Sequence, residues 1–285
     1  MHLERELTLA LELADTCGSL ALALRHAGDA ALEIREKSPQ DGLVTRADTE
    51  INGRLVDAIR RAFPGDAVIA EESSGVDERV GHDRCWFIDP IDGTAEFARG
   101  EASWAIHIGL AVGGVPCLGV VHEPAGARTS WGVIDERGAR AFGARPGEAP
   151  RPLRVTATPL EALRLVSSKS HASPRITVVM ERLAIPPARN LRIGSTGVKM
   201  AAIAWGDADL YVHPKAGTKL WDTCAPDAVL RAAGGHAGDL RGDPLVYAGA
   251  GLANEAGLLA CAAANRVALV DRLAADVARW LDQSA

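Results

Sequence analysis

The sequence predicts a layered protein with two halves, an α+β half over residues 1–145 and an α/β half over residues 146–285. Three observations support this prediction. Helical periodicity opens the chain, alternating strands joined by a tight turn follow it, and strand and helix patterns then alternate to the end. The segment 143–152, between the two patterns, is rich in glycine and proline, which is typical of a boundary.

The first half begins with two helices. Apolar residues recur at three- and four-residue steps over residues 3–26, which predicts an amphipathic helix. A second helix runs from Asp48 until Pro64-Gly65 stops it. Residues 37–48 between the helices are rich in turn formers, and we expect a mobile loop there.

Strands complete the first half. Residues 67–70 form a short apolar run, and 103–112 and 115–123 are strand-like on either side of Gly113-Gly114, a good hairpin turn. A further strand is expected near 129–134. We therefore expect two helices packed on an antiparallel sheet, with His107 in the core or on a sheet face.

The second half alternates strands with helices, which indicates an α/β arrangement. The predicted strands cover 163–167, 190–193, 209–212 and 257–262, and the predicted helices cover 174–184, 196–205, 223–233 and 266–281.

Composition excludes several classes of function. The formal net charge is -6 and no dense Lys/Arg run occurs, which argues against a partner that is polymeric nucleic acid. The chain has five cysteines and no CxxC pair, so neither a disulfide framework nor a zinc ribbon is expected. We expect a cytoplasmic location, where thiols stay reduced. No membrane span is expected, because the sequence contains no stretch of about 18 apolar residues.

Two carboxylates stand at the end of a buried strand in 86-WFIDPIDGTAEF-97. Pro90 is expected to end the strand ladder, and Gly93 and Thr94 then open a helical turn whose free amides can face an anion. Asp89 and Asp92 offer hard oxygen ligands, which suit Mg²⁺ or Mn²⁺. The alternative is a simple turn in which an aspartate caps the backbone.

Further carboxylates follow the same logic elsewhere in the chain. Glu71-Glu72 end a strand, Asp48 begins a helix in 44-VTRAD-48, and Asp222 begins a helix in 221-WDTCAPDAVLRAAGG-235 with Pro226 in its first turn. Taken alone, an aspartate at a helix start is more simply explained as a cap.

Taken together, DPIDGT, the preceding EES, VTRAD and the WDTCAPDA stretch resemble the inositol monophosphatase superfamily of metal-dependent, lithium-sensitive phosphomonoesterases. The resemblance runs from about Leu43 to Ala262. It implies a layered α-β-α-β-α sandwich of the inositol monophosphatase/fructose-1,6-bisphosphatase type, with the site between the halves. It also implies a small phosphorylated substrate and two or three Mg²⁺ ions, with Mn²⁺ as an alternative.

The resemblance also implies roles for individual residues. The expected metal ligands are Glu71, Asp89, the carbonyl of Ile91, Asp92 and Asp222, with Asp89 shared between two ions. Asp48 and Thr94 are expected to accept a proton from the attacking water, and Glu72 to orient that water. The amides of Gly93 and Thr94 are expected to bind phosphate. Lys37 lies in the preceding loop, where a lysine more often contacts nothing, and reaching the metal site is the alternative for it.

Within the superfamily the chain looks closest to the 3′(2′),5′-bisphosphate nucleotidases, which convert adenosine 3′,5′-bisphosphate to AMP and phosphate. The segments 167-SSKSHAS-173 and 192-RIGSTGVK-199 carry this similarity, although GSTGVK departs by one residue from the commoner GSSxK. The expected substrate-binding residues are Lys169, His171, Gly194, Ser195, Thr196 and Lys199. The alternatives are that Ser195 or Thr196 only caps its helix, that Lys199 is a solvated surface residue, and that His171 is an ordinary loop histidine.

Two other functions stay open at this point. A phosphatase of the same fold acting on inositol 1-phosphate or another small sugar phosphate would share the metal motifs. A non-catalytic regulator that binds a metal or nucleotide would keep the fold without turnover. A monomer and a homodimer both fit the sequence, and no membrane partner is expected.

Overall fold

The chain forms two sheets separated and flanked by helices. The computed structural model describes residues 2–38, 42–73, 79, 81–170, 173–249 and 251–282. Its helices are α1 (Glu4–His26), α2 (Asp29–Leu32), α3 (Arg46–Ala62), α4 (Thr94–Ala98), α5 (Pro174–Arg182), α6 (Thr196–Trp205), α7 (Leu220–Ala232) and α8 (Arg266–Asp282).

The strands fall into a hairpin and two sheets. The hairpin pairs β1 (Arg35–Ser38) with β2 (Gly42–Val44). The seven-stranded sheet comprises β3 (Ala67–Ala70), β4 (Arg84–Asp92), β5 (Ala105–Val112), β6 (Val115–Glu123), β7 (Arg128–Asp135), β8 (Gly138–Ala144) and β9 (Arg151–Pro152), in that order. The five-stranded sheet comprises β10 (Leu165–Ser168), β11 (Asn190–Ile193), β12 (Leu210–His213), β13 (Gly235–Gly238) and β14 (Leu258–Ala262), in the order β11-β10-β12-β14-β13.

The elements stack in five layers. Helices α1 and α3 cover one face of the large sheet, and α6 and α7 lie between the large sheet and the small one. Helices α5 and α8 pack together, and their apolar residues form a common core with β10, β12 and β14. This α-β-α-β-α order confirms the predicted sandwich.

Three glycines let α7 approach the large sheet closely. Gly109 on β5 pairs with Gly119 on β6, which pairs with Gly132 on β7, so they form a row on the face towards α7. A Cβ atom at Gly119 would lie 2.0 Å from the Ala225 carbonyl oxygen. The helix backbone therefore contacts the sheet backbone directly at Ala225, three residues after Asp222.

Several expectations need correction. Residues 37–48 are not simply a loop, because they include most of the β1–β2 hairpin and the start of α3. Strand β4 continues through Pro90 to Asp92 by means of a bulge, and Pro226 is the seventh residue of α7, in its second turn. Strands β8, β9 and β13 were not predicted. Because β9 pairs with β8, the large sheet extends past residue 145, and the division into halves there remains a prediction.

Helix α1 has the length and composition of a membrane-spanning helix, with 23 residues and a mean hydropathy of 1.5 over its most apolar window. Its buried residues Ala10, Ala14, Cys17 and Ala21 lie at three- and four-residue steps. They belong to the core shared with α3 and the large sheet. Packing against the sheet accounts for this apolar face, and the first predicted helix is confirmed.

Candidate active site

A β-bulge explains the spacing of the two carboxylates in DPIDGT. Side chains three residues apart on a regular strand point to opposite faces. Here Asp89 pairs with His107 and Asp92 pairs with Ala105, so β4 has one more residue than β5 between the two pairs. Both aspartates therefore face α6 and α7, on the same side of the sheet.

Acidic side chains from three segments converge at this bulge. Burial raises the pKa of Asp89 well above its usual value, and the nearby carboxylates of Glu71, Asp92 and Asp222 raise it further. The pKa of Asp222 is also raised well above its usual value, by burial and then by Asp92 and Glu71. The four expected carboxylate ligands thus lie close enough to repel one another when all are ionised.

Backbone amides hold two of these carboxylate groups in place through hydrogen bonds. The Ile91 amide donates to Asp89 Oδ1 at 3.0 Å, and the Lys219 amide donates to Asp222 Oδ2 at 2.7 Å. Asp222 is the third residue of α7 and caps the helix. The same side chain therefore both caps α7 and belongs to the carboxylate cluster.

Lys37 supplies a positive charge to the cluster. Its Nζ atom donates to Glu71 Oε1 at 2.8 Å and also to Glu72 Oε1. The pKa of Lys37 is raised, because attraction to Glu71 and Glu72 outweighs the effect of burial. The pKa of Glu72 is raised as well, chiefly by burial. The β1–β2 hairpin thus brings Lys37 to the cluster, which was the less favoured of the two expectations for this residue.

Asp48 and Thr94 form a buried pair beside the cluster. Asp48 Oδ2 accepts hydrogen bonds from the Thr45 amide at 2.8 Å and the Thr45 hydroxyl at 2.6 Å, and Thr94 Oγ1 lies 3.1 Å from Asp48 Oδ1. Thr94 Oγ1 is also 3.1 Å from the Ile91 carbonyl oxygen, so its single proton has two acceptors. Burial raises the pKa of Asp48 to about 7.

Gly93 makes the turn from β4 into α4. Its φ of 96° lies in the region that favours glycine, and the adjoining helix begins at Thr94. The first amides of a helix have no partner within it. The predicted phosphate-binding amides therefore stand at the start of α4, next to the carboxylates.

The start of α6 is hydrogen-bonded to Asp92, a contact that the sequence does not reveal. Ser195 Oγ donates to Asp92 Oδ2 at 2.6 Å, and the Gly197 amide donates to the same oxygen at 2.8 Å. Ser195 Oγ also caps α6 by accepting from the Val198 amide. Ser195, which was expected to contact substrate, and the Gly197 amide, for which no role was expected, thus both hold a predicted metal ligand.

The remaining predicted substrate residues differ in exposure. Lys199 is 4% exposed, so the surface alternative is wrong, and burial lowers its pKa to about 8. Its Nζ atom lies 5.2 Å from the centre of the Tyr211 ring. Thr196 is also buried. Lys169 is half exposed and forms a 2.7 Å ion pair with Glu101.

Gly194 and His171 complete the predicted set. A Cβ atom at Gly194 would lie 2.5 Å from Glu96 Cγ, so this glycine allows the segment before α6 to pack against α4. His171 lies outside the described residues.

His107 is a component of the site that sequence reasoning assigned only to the core or a sheet face. It is fully buried, as expected, yet its ligand-type nitrogen and one oxygen each of Asp89 and Asp92 all lie within 4.8 Å of one another. No periodic pattern marks it, because the contact arises from the bulge in β4 and from the position of α6.

A model of the inositol monophosphatase family matches residues 2–276. The chain belongs to this family. Its layered fold is thus that of a family of phosphatases, and the protein is a hydrolase of this kind.

Among its relatives is a protein of Mycobacterium leprae named 3′-phosphoadenosine 5′-phosphate phosphatase, which is 35% identical over 260 residues covering 86% of this chain and 88% of that protein. A Mycobacterium tuberculosis protein named histidinol-phosphatase is 32% identical over 265 residues, covering 89% of this chain and 94% of that protein. The crystal structure of CysQ from Bacteroides thetaiotaomicron superposes with a TM-score of 0.72 at 24% identity, covering 92% and 98% of the two chains.

Proposed function

We propose that this family member is a Mg²⁺-dependent 3′(2′),5′-bisphosphate nucleotidase that hydrolyses adenosine 3′,5′-bisphosphate to AMP and phosphate. The observation that carries the proposal is the convergence of Glu71, Asp89, Asp92 and Asp222 on one face of the large sheet. The name of the M. leprae relative supports the choice of substrate.

The donor set fits hard divalent cations. Its members offer carboxylate oxygens, and the raised pKa values of Asp89 and Asp222 show that their ionised forms are disfavoured without a counter-charge. We assign the cations to these four side chains and the Ile91 carbonyl. Bound cations would neutralise the charge of the phosphate ester, lower the pKa of the attacking water and stabilise the leaving oxygen.

Asp48 and Thr94 are assigned to proton transfer. The Thr94 hydroxyl is within hydrogen-bonding distance of Asp48 Oδ1, so it can accept a proton from water while passing its own to Asp48. A carboxylate with a pKa of about 7 is suited to act as a base near neutral pH. Glu72 is assigned to orienting the water from the neighbouring strand end.

The substrate phosphate that reacts is assigned to the amides of Gly93 and Thr94, at the turn into α4. Lys199 is assigned to the second phosphate, because its buried ammonium group has no ion-pair partner among the described residues. Thr196 and Lys169 are assigned to the nucleotide end of the substrate. Ser195 and Gly194 contribute by holding Asp92 and by packing, respectively.

We further propose a cytoplasmic location, a role in clearing a by-product of sulfate activation, and inhibition by Li⁺. The location is supported by the cysteines, since Cys17, Cys85, Cys117, Cys224 and Cys261 are all free and buried. Unaffected activity at millimolar Li⁺ would count against the assignment within the family.

The test is a panel assay of phosphate release with and without Mg²⁺. The substrates are adenosine 3′,5′-bisphosphate, inositol 1-phosphate and histidinol phosphate, and the control enzyme is Asp89→Asn. We expect the nucleotide to give the largest kcat/KM, and the variant to stay folded while losing turnover by several orders of magnitude. A preference of more than about tenfold, or 1.4 kcal/mol, for another substrate rejects the nucleotidase assignment.

The second candidate is histidinol phosphate, favoured by the 32% identical relative. Both substrates are phosphate monoesters and would use the same carboxylates, so only the panel separates them. If the protein binds Mg²⁺ but hydrolyses none of the substrates in the panel, it is instead the non-catalytic regulator.

A further inference from the structure

His107 is a polar residue in the buried interior between the large sheet and the start of α6. It lies on β5 opposite Asp89, on the face of the large sheet towards α6 and α7, and it is fully buried. Neither ring nitrogen has a well-formed hydrogen bond to any residue that the structure describes. A buried polar group without a hydrogen-bond partner destabilises a fold, so its presence calls for an explanation.

The ring stands between two segments that carry expected metal ligands. Its Nε2 atom lies 3.5 Å from Asp92 Oδ2, just beyond hydrogen-bonding distance. The main-chain carbonyl of Trp221, next to Asp222, is also close enough to raise the pKa of His107. Burial nevertheless lowers this pKa overall, while attraction to Asp92 opposes the shift.

The start of α6 is shaped around this imidazole. A Cβ atom at Gly197 would lie 1.9 Å from His107 Nε2, so only glycine leaves room for the ring. The Gly197 amide and the Ser195 hydroxyl both donate to Asp92 Oδ2. His107 therefore faces the same oxygen as these donors, and no described residue donates to Asp92 Oδ1.

We propose that His107 is a positioning residue, whose Nε2–H group closes on Asp92 Oδ2 and holds it against α6, which would leave Oδ1 available to a divalent cation. The inference rests on the proposed function in one respect, namely that the site binds a divalent cation. It assigns His107 no contact with substrate.

Two amide substitutions separate positioning from packing. The amide nitrogen of His107→Gln is as many bonds from Cβ as Nε2 is, whereas that of His107→Asn corresponds to Nδ1. We expect His107→Asn to weaken Mg²⁺ binding by roughly 10- to 100-fold, and His107→Gln to stay within about threefold of the wild type. Mg²⁺ affinity is measured by calorimetry on the full chain, beside the melting temperature without metal.

Equal Mg²⁺ affinity in wild type and His107→Asn would overturn the proposal, as would equal losses in both variants. If His107→Asn does not fold, Gly197→Ala displaces the same ring from the other side and should weaken Mg²⁺ binding while His107→Gln does not. A wild type that binds no Mg²⁺ refutes the proposed function and this inference together. Mg²⁺ binding that depends on His107, without nucleotide hydrolysis, refutes the substrate assignment alone.

Discussion

The Nζ atom of Lys37 donates a 2.8 Å hydrogen bond to Glu71 Oε1, so a side chain of this protein already supplies positive charge to an expected metal ligand. Both side chains are about one-fifth exposed. A cation that binds Glu71 has to compete with this ammonium group, and the hairpin that carries Lys37 is coupled to the loading of the site.

Lys37→Met should therefore tighten Mg²⁺ binding. A partly buried ion pair of about 1 kcal/mol corresponds to an approximately fivefold gain in affinity. Loss of the ammonium group should also lower the melting temperature without metal, because the carboxylates lose a counter-charge. The measurement is the melting temperature as a function of Mg²⁺ concentration.

The matched control for Lys37→Met is Arg35→Met. Arg35 lies on the same strand, is exposed, and pairs with Glu33 away from the site. If both variants respond to Mg²⁺ as the wild type does, the coupling between hairpin and cation is disproved.

Thr94→Val should remove the hydroxyl between water and Asp48 while keeping the shape of the side chain. We expect kcat/KM to fall by about 10²–10³-fold, within the usual range for general acid–base catalysis. Thr94→Ser retains the hydroxyl and should lose less than about tenfold. Steady-state kinetics with saturating Mg²⁺ decide the matter, and equal activity of the two variants would rule out proton transfer through this residue.

Gly119→Ala should act on the site from a distance. The new methyl group would meet the backbone of α7, and relieving that contact moves Asp222 away from Asp89. We expect a loss of about 1–3 kcal/mol in the free energy of unfolding, with a weaker response of the melting temperature to Mg²⁺.

Gly53→Ala is the control for this substitution. Gly53 lies within α3 with open space beside it, so alanine there should stabilise the protein by up to about 1 kcal/mol. Wild-type Mg²⁺ binding by Gly119→Ala would show that the contact does not set the position of Asp222.

His122 should make stability depend on pH. Its Nδ1 atom lies 2.8 Å from Thr129 Oγ1, and burial lowers its pKa to about 4. Because the folded pKa is below the ordinary value, the neutral ring stabilises the fold above pH 6.5, and this contribution is lost as the pH falls towards 4. The expected slope is about 1.4 kcal/mol per pH unit.

The slope is measured by urea unfolding at pH 7 and pH 5. His236 has a pKa lowered in the same direction and contributes to the wild-type slope, so the informative quantity is the difference between wild type and His122→Asn. Between pH 7 and pH 5, His122→Asn should lose about 1–2 kcal/mol less free energy of unfolding than the wild type does. Identical losses in both proteins would exclude His122 as a source.

Much of the fold follows from periodicity in the sequence. Helix α6 occupies the predicted range 196–205, and α8 is predicted within one residue, because apolar patterns continue along their whole length. Strands β8 and β13 are rich in glycine and alanine, so their pairing depends on neighbouring strands. The β1–β2 hairpin is short and polar, and its Lys37–Glu71 contact crosses 34 residues.

The candidate site was predictable where short motifs hold several of the expected ligands. Asp89 and Asp92 stand in one such motif, and Glu71 and Asp222 stand at element ends. The hydrogen bonds from Ser195 and Gly197 to Asp92 were not predictable, because they join segments 103 and 105 residues apart. His107 was hidden for a different reason, since its neighbour Asp92 reaches it only through the extra residue in β4.

The glycine row beneath α7 has a consequence for heat inactivation. Main-chain atoms there touch main-chain atoms, with no flexible side chains between them to take up expansion. Warming that lifts the helix slightly would separate the ligands before the hydrophobic core melts. Catalysis should then fail several degrees below the cooperative transition, and recover on cooling.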